Sequence, residues 1–506
     1  MRDPDPAPFP IDHLPMRSVA DAVALVDRSG TMAFAELEVA VGRVAGWLAG
    51  QGLVPGARVA SWLPKTRVAC VLPLAVARAG LVYVPINPLL RRAQVAHILD
   101  DSGAGLLVTQ DARAATLTAG DVPPSCGIVD EGALPLVGEG PALPPSSGDT
   151  EALVEILYTS GSTGRPKGVM LSHANLWLGA VSVAAYLELT PDDRVLGVLP
   201  LSFDYGQNQL FSTWAAGASI APIDYLTARD VAKAIDRFGA TTLAGVPPLW
   251  TQLLEAEWPA DTAARLTRLT NSGGALTPRL VRGLRSRFPA ARVFAMYGLT
   301  EAFRSTFLPP DLIDAHPDSI GRPIPFAEVL VVRPDGTRAA AGEPGELVHA
   351  GPLVSQGYWR DPARTAERFR PVPFGSAHGG MAVWSGDTVV EGTDGLLRFV
   401  GRDDEMIKSA GNRISPLEIE EAVLAGGEAR DAVAVGIADD RSGQAIMVAV
   451  AGDPANEATL RARLRTDLPS FMQPVGYRWH DALPRNANGK LDRAAIRAAI
   501  TTEQSA

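Results

Sequence analysis

The sequence predicts an α/β chain: a large N-terminal part made of two α/β passes and an antiparallel stretch, followed by a small α+β domain. Three observations carry this. Short branched apolar runs alternate with helical patterns in residues 18–120, and again from Val154 to about Asp318; that rhythm favours parallel sheets. The stretch SIGRPIPFAEVLVVRPDGTRAAAGEPGELVHAG then alternates residue by residue around a Pro-Asp-Gly turn, as antiparallel hairpins do. From about Asp404 onward helices and strands alternate on a smaller scale, which marks a compact separate domain.

In the first pass FAELEVAVGRVAGWLAGQG has apolar residues at helical spacing and ends on Gly52, a suitable C′ residue. RVASWLP and LVYVPIN are strand candidates, with VACVLPLAVARAG helical between them. The Pro- and Gly-rich segment VPPSCGIVDEGALPLVGEGPALPPSSGDT reads as a long surface connection. The second pass offers the strands VEILYTS, RVLGVLPL, ATTLAGVP and RVFAMYG, each followed by a helical stretch. The C-terminal region contains PLEIEEAVLAG, DAVAVGIAD, AIMVAVAG and ATLRARLRTDL.

Composition narrows the function. The 46% apolar and 20% charged content over 506 residues is that of a globular enzyme. A net charge of −10 argues against a nucleic-acid partner, which needs a clustered basic face. Cys70 and Cys126 form no CxxC pair, so a reducing compartment is expected and no metal or disulfide framework. The acidic, Pro-rich start does not read as a signal peptide, and no apolar run reaches the ~18 residues of a spanning helix. The expected location is cytoplasmic, with no membrane span.

The most informative segment is EILYTSGSTGRPKGVMLSHANL, residues 155–176. A strand-like run feeds a loop holding Ser160, Gly161, Ser162, Thr163, Gly164, Lys167 and Gly168. Glycines let a backbone wrap phosphates with several N–H donors, Thr159 and the loop hydroxyls add more, and Lys167 supplies a point charge. The spacing differs from the Walker A loop G-x-x-x-x-G-K-[ST]. Linkers rich in Gly and Ser seldom hold Lys and Pro in such a frame directly after a branched strand.

YTSGSTGRPKGV closely resembles the signature loop of the adenylate-forming superfamily: acyl- and aryl-CoA synthetases, adenylation domains of nonribosomal peptide synthetases, and luciferases. The resemblance continues along nearly the whole chain through RAGLVYVPINP (78–88), MYGLTEA (296–302), GELVHAGPLVSQGYWRDPART (345–365), VWSGDTV (383–389), FVGRDDEMIKSAGNRISPLEIE (399–420) and LPRNANGKLDR (483–493). The first and the GEL…GY segments would be structural. The resemblance implies a β-barrel-like part in an N-terminal domain of residues 1–402, and a mobile C-terminal domain of residues 403–506. It also implies ATP and Mg²⁺.

By the same resemblance Tyr297, with Gly298 beside it, stacks on adenine, Thr300 contacts the α-phosphate and Glu301 holds Mg²⁺. An aromatic face suits a purine, and a hard carboxylate oxygen suits Mg²⁺. Asp387 would accept from the ribose hydroxyls, Arg402 would contact ribose or phosphate, and Asp404 would be the hinge between domains. Glu405 stands where the usual pattern has a second Asp. Lys490 would be the catalytic lysine, approaching the acid and the α-phosphate. A nucleotide-binding regulator without catalysis would be expected to lack Lys490, Glu301 or Lys167, and all three are present.

The expected reaction joins a carboxylic acid to AMP and passes the acyl group to a phosphopantetheine thiol, on CoA or on an acyl carrier protein supplied in trans. VLPLSFDYGQNQL carries Asp204 after Phe203, as amino-acid-activating domains carry Phe-Asp. Asp204 would pair with a substrate ammonium; with Gln207 it also forms the D-x-x-Q pattern of a capping box. Arg304 is a second pocket candidate, able to bind a carboxylate or carbonyl of the acid or to pair with Asp204. NSGGALTP supplies Ser272 and a glycine wall including Gly273, and GVPPLW would line the same cavity. SFDYG…NSGGAL…YGLTEAFRST resembles stand-alone enzymes that activate β-amino acids for carrier proteins in natural-product biosynthesis, and also acyl-CoA ligases linked to exopolysaccharide clusters. The first is favoured, with a CoA ligase of fatty or aryl acids as the alternative.

Overall fold

The computed structural model describes residues 4–159, 166–274, 276–402, 407–409, 412–439, 443–468, 472–487 and 489–504. Among these residues three sheets form. A six-stranded sheet runs Gly127–Asp130, Ala104–Thr109, Arg58–Trp62, Val82–Pro85, Leu153–Thr159, Lys167–Ser172, with every neighbouring pair parallel except the last. A second, fourteen-stranded sheet has a parallel section containing Ser219–Pro222, Arg194–Gly197, Thr242–Gly245, Arg268–Asn271 and Arg292–Tyr297. Its other end is antiparallel, through Ser319–Pro323, Leu397–Arg402, Met381–Glu391, Pro344–Ala350 and Glu328–Val332. The third sheet has five strands, all between Ile407 and His480, backed by the helices Pro416–Ala425, Glu457–Asp467 and Arg493–Gln504.

This is the large mixed α/β part and small α+β part read from the patterning. Buried strands such as Arg58–Trp62 and Val82–Pro85 are branched and apolar because helices cover the sheet on both faces. The helix Arg67–Arg78 is buried along its length and holds Pro73 inside it. No helix among the described residues is long and apolar enough to cross a membrane.

Three local expectations change. The first helix, Phe34–Ala49, stops at a C-cap on Gly50, and Gly52 takes its positive φ of 70° in the following turn. VEILYTS, expected to be followed by a helical stretch, is followed among the described residues by the antiparallel partner strand Lys167–Ser172. The Pro-rich connection carries the strand Gly127–Asp130 and then packs down: Leu143 N–H donates to Gly42 O at 2.9 Å, and a Cβ on Gly46 would lie 2.2 Å from Pro141 O. Ser146 donates to Asp12 at 2.6 Å, and Asp12 in turn pairs with the buried Arg78 at 2.9 Å. A run rich in Pro and Gly therefore folds over a helix whose glycine face makes room for it.

Both cysteines are buried, and burial pushes their thiols up, to about 12 for Cys70 and about 11 for Cys126. The strand Leu153–Thr159 carries a buried carboxyl, Glu155, only 1% exposed. Burial raises it to about 8, opposed by the amide of Gln207 on the helix Asp204–Ala215.

Candidate active site

Thr159 and Lys167 face each other across the antiparallel pair that frames the glycine-rich segment. Ser160, Gly161, Ser162, Thr163 and Gly164 lie outside the described residues, as do Asp404, Glu405 and the side chain of Arg402. Lys167 Nζ sits 2.9 Å from Glu301 Oε1 and donates to the Tyr358 hydroxyl at 2.8 Å. Tyr358 donates its own proton to the same carboxylate oxygen, at 2.6 Å. Burial works against the charged form of Glu301, yet the Lys167 ammonium and the Tyr358 hydroxyl hold its carboxyl below the usual range.

Tyr358 is placed by backbone. Residues 356–359 add to the outer side of the strand Lys167–Ser172: Trp359 N–H donates to Gly168 O at 2.8 Å, and Met170 N–H to Gly357 O at 2.9 Å. The GYW segment, read from the sequence as structural, thus brings a hydroxyl to the Lys167–Glu301 pair. An aromatic inside a string of turn residues gave no signal of that.

Thr300 and Glu301 occupy a short 3-10 turn, Thr300–Ala302, and the next residue, Phe303, has φ 61°. A bulky residue at positive φ is strained, and such strain persists where packing over-determines it. Here the packing is visible: the Phe303 ring lies on the helix His173–Tyr186 where a Cβ on Gly179 would be 2.4 Å away.

Tyr297 ends the strand Arg292–Tyr297 and donates its phenol proton to Asp387 Oδ2. Asp387 is 2% exposed and stands opposite Arg402 in the register of its strand pair. Gly298 allows a close crossing of the chain, since a Cβ there would meet the Arg304 Cα at 2.9 Å.

Asp204 is the first residue of the helix Asp204–Ala215; the N-cap is Phe203, with no side-chain cap bond. The capping-box reading is thereby corrected: the chain turns helical one residue earlier than D-x-x-Q requires, leaving the carboxylate inside the first turn. Asp204 is buried, which raises its carboxyl, opposed by the positive charges of Arg304 and Lys490. Arg304 makes no direct ion pair with it; its Nη1 donates to Ser272 Oγ at 2.7 Å and its guanidinium lies 4.8 Å from the Tyr205 ring centre. Its Nε, like Asn208 Nδ2 and Gln209 Oε1, is buried without a hydrogen-bond partner among the described residues. These groups border a cavity of about 20 Å³ between the helix Asp204–Ala215 and the sheet, lined also by Tyr186 and Thr270. Tyr205, Asn208 and Gln209 were not singled out from the sequence; they follow Asp204 on its own helix.

Lys490 reaches this region from the C-terminal domain. Its Nζ is 5.1 Å from the centre of the Phe203 ring, and its stem runs past Gly273, where a Cβ would lie 2.8 Å from Cε. No cluster of three His, Cys, Asp or Glu suited to a metal occurs among the described residues. Lys167, Glu301, Tyr297, Asp387, Asp204, Arg304 and Lys490, drawn from positions 167 to 490, thus contribute to one connected region.

Comparison with known proteins agrees with this arrangement. Residues 15–359 match the AMP-binding enzyme family and residues 418–490 match the AMP-binding enzyme C-terminal domain. A linear gramicidin synthase polypeptide of Brevibacillus parabrevis is 32% identical over 94% of this chain, a match covering 6% of that protein. Novobiocin biosynthesis protein H of Streptomyces niveus is 31% identical, over 97% of this chain and 82% of its own. ATP-bound MatB from Rhodopseudomonas palustris superposes with a TM-score of 0.87 at 26% identity, over 97% and 99% of the two chains. The o-succinylbenzoate CoA synthetase of Bacillus subtilis does so at 0.84 and 25%, over 97% and 98%. The chain spans 6 to 11% of the length of the gramicidin synthases it matches. With a family match across more than half of its residues and a relative matched along most of both chains, this protein belongs to the AMP-binding enzyme family, within the adenylate-forming superfamily.

Proposed function

We propose that the protein activates a carboxylic acid with ATP, forming an acyl-adenylate and pyrophosphate, and then transfers the acyl group to a phosphopantetheine thiol. The observation that carries this reading is the meeting of Lys490 with Gly273 and Phe203, beside Asp204. On this reading a lysine from the last signature motif would stand beside the activated acid.

The nucleotide would lie between Tyr297, whose ring offers a face to adenine, and Asp387, which accepts from ribose hydroxyls with Arg402 near it. The loop Thr159–Lys167, including Ser160, Gly161, Ser162, Thr163 and Gly164, would supply donors to the phosphates, and Thr300 would donate to the α-phosphate. A single ionised carboxylate, Glu301, fits Mg²⁺, which takes one or two carboxylates together with phosphates and water. When bound, Mg²⁺ supplies neutralisation of phosphate charge. The acid oxygen attacks the α-phosphorus and pyrophosphate departs in line; Lys490 and Lys167 offset the charge that builds up. The thiol then attacks the acyl carbonyl, and AMP leaves.

The C-terminal domain, residues 403–506, would turn about Asp404 between the two steps, withdrawing Lys490 and presenting residues 409–415 to the thiol. The favoured substrate is an amino acid, of the β-amino type, loaded onto a carrier protein in natural-product biosynthesis. A buried Asp204 with no direct ion pair among the described residues supports this, since a substrate ammonium would supply its counter-charge. Ser272, Gly273 and Arg304 would line the rest of the acid site. The relatives named for gramicidin and novobiocin support the natural-product part of that reading. CoA as acceptor, with a fatty or aryl acid, is the second reading, favoured by the likeness to a CoA synthetase.

ATP–pyrophosphate exchange against fatty, aryl, α-amino and β-amino acids tests the proposal. Exchange is expected with amino acids and is lost in Asp204→Ala. No exchange with any acid would sink the activity, and robust exchange with plain fatty acids in Asp204→Ala would sink the amine reading. Comparison of CoA with a pantetheinylated carrier protein then identifies the acceptor.

A further inference from the structure

The strand Val82–Pro85 runs into Asn87, a buried side chain that is 6% exposed. Its Oδ1 accepts from Leu89 N–H at 2.9 Å and holds the local turn. Its Nδ2 points away from that turn and donates to Ala487 O at 3.2 Å, across 400 positions of sequence. Ala487 lies three residues before Lys490, inside a tight hairpin. In that hairpin Asn486 N–H donates to Lys490 O at 2.8 Å and Lys490 N–H to Asn486 Oδ1 at 3.1 Å, with Arg485 facing Leu491. Fixing the Ala487 carbonyl therefore fixes the point from which the Lys490 side chain departs.

The side chain meets a second constraint further along. Gly273 has φ 78°, and a Cβ on it would lie 2.8 Å from Lys490 Cε, 3.2 Å from its Nζ and 3.5 Å from Phe203 Cζ. A Cβ contact under 3.0 Å forces something to move, so the lysine passes between Gly273 and the Phe203 ring only because position 273 has no side chain. The two contacts are independent: one holds a backbone carbonyl, the other clears the path of the stem.

We propose that Asn87 and Gly273 are positioning residues that form a dock on the large domain for the Lys490 hairpin and favour the domain arrangement in which Lys490 faces the acid. The proposal rests on the adenylation reading for its consequence, but the docking itself is measurable without it. Neither residue touches the reacting atoms. Asn87 acts through the hairpin backbone, and Gly273 acts by leaving space for the lysine stem.

The chain has five lysines, at 65, 167, 233, 408 and 490, which makes lysine footprinting of the full-length protein simple to read. Lys233 is exposed and serves as internal standard. Acetic anhydride labelling followed by peptide mass spectrometry should show Lys490 acetylated about 3–10-fold faster, relative to Lys233, in Asn87→Ala than in wild type. A change of about 3–10-fold corresponds to about 0.6–1.4 kcal/mol, within the range for loss of one hydrogen bond from a docking equilibrium. Gly273→Ala should do the same by obstructing the stem. With the best acid found by exchange, both variants should lower the ATP–pyrophosphate exchange rate by a similar factor and leave the KM for ATP unchanged. A Lys490 labelling ratio within twofold of wild type in the folded variants overturns the dock. If loss of the Leu89 turn bond prevents Asn87→Ala from folding, Gly273→Ala decides alone. Absence of exchange in the wild-type protein would refute the adenylation reading while the labelling result still decides the docking.

Discussion

Lys167 Nζ and Glu301 Oε1 stand 2.9 Å apart although 134 positions separate them, and the Tyr358 hydroxyl bonds to both. The ammonium occupies the carboxylate oxygen that a divalent cation would take. On the proposed reading, Mg²⁺ and nucleotide phosphates would replace the Lys167–Glu301 pair with phosphate–Lys167 and Mg²⁺–Glu301 contacts, and Tyr358 would hold the carboxylate in place.

Glu301→Gln keeps the shape of the side chain and removes its charge. Its expected effect is a fall of roughly 10²-fold in ATP–pyrophosphate exchange, the size seen when one preorganised charge-stabilising group is lost. The Mg²⁺ concentration for half-maximal rate should also rise. Titration of exchange against Mg²⁺ checks both, and an unchanged Mg²⁺ dependence contradicts the metal assignment.

Tyr297 and Asp387 are joined by a hydrogen bond that occupies the carboxylate proposed to receive the ribose. Asp387→Ala removes a charged acceptor and leaves the phenol without its partner, so the KM for ATP should rise about 10–100-fold, the range for hydrogen bonds to charged groups. Tyr297→Phe keeps the aromatic face and frees the carboxylate, so it should change that KM less than about threefold. Steady-state exchange kinetics of the pair separate stacking from hydrogen bonding. Equal losses in the two variants contradict the division of roles.

Glu155 makes the fold sensitive to alkali. Its carboxyl sits at about 8 in the folded protein, against an unfolded value of ~4.3. Below the unfolded value both states hold the proton and the residue is neutral to stability. Between the two values only the folded state holds it, so stability falls as pH rises through that window and levels off above it. Glu155→Gln should therefore raise the melting temperature at pH 8, by roughly 1 °C per kcal/mol recovered in a chain of 506 residues, and leave it unchanged near pH 4. Melting curves at the two pH values check this, and an equal shift at both refutes it.

Strand and helix patterning were legible wherever burial is even. RVASWLP, VACVLPLAVARAG and LVYVPIN became a parallel strand–helix–strand unit, because branched apolar runs of that length bury only inside such a sheet. What the patterns concealed was tertiary. Nothing local marks the glycine face of Phe34–Ala49 as the bed for Pro141 and Leu143. Spacing alone favoured Asp204 as a cap, and only the backbone entry at Phe203 places it inside the helix. In the site, Lys167, Glu301, Tyr297, Asp387 and Lys490 were singled out because their residue types carry an evident chemistry, and the structure pairs Lys167 with Glu301 and Tyr297 with Asp387. Asn87 and Tyr358 were not, because each serves a partner that lies far away in sequence.

The two cysteines have a practical consequence. Both are buried, with thiols held near 12 and 11, so at neutral pH almost no thiolate is available for alkylation. An introduced surface cysteine, such as Lys233→Cys paired with one on the exposed Val475, will accept a fluorophore without deleting a native residue first. Energy transfer between two such dyes would report the angle between large and small domains in single molecules, turning inert native thiols into a silent background for following the catalytic cycle in time.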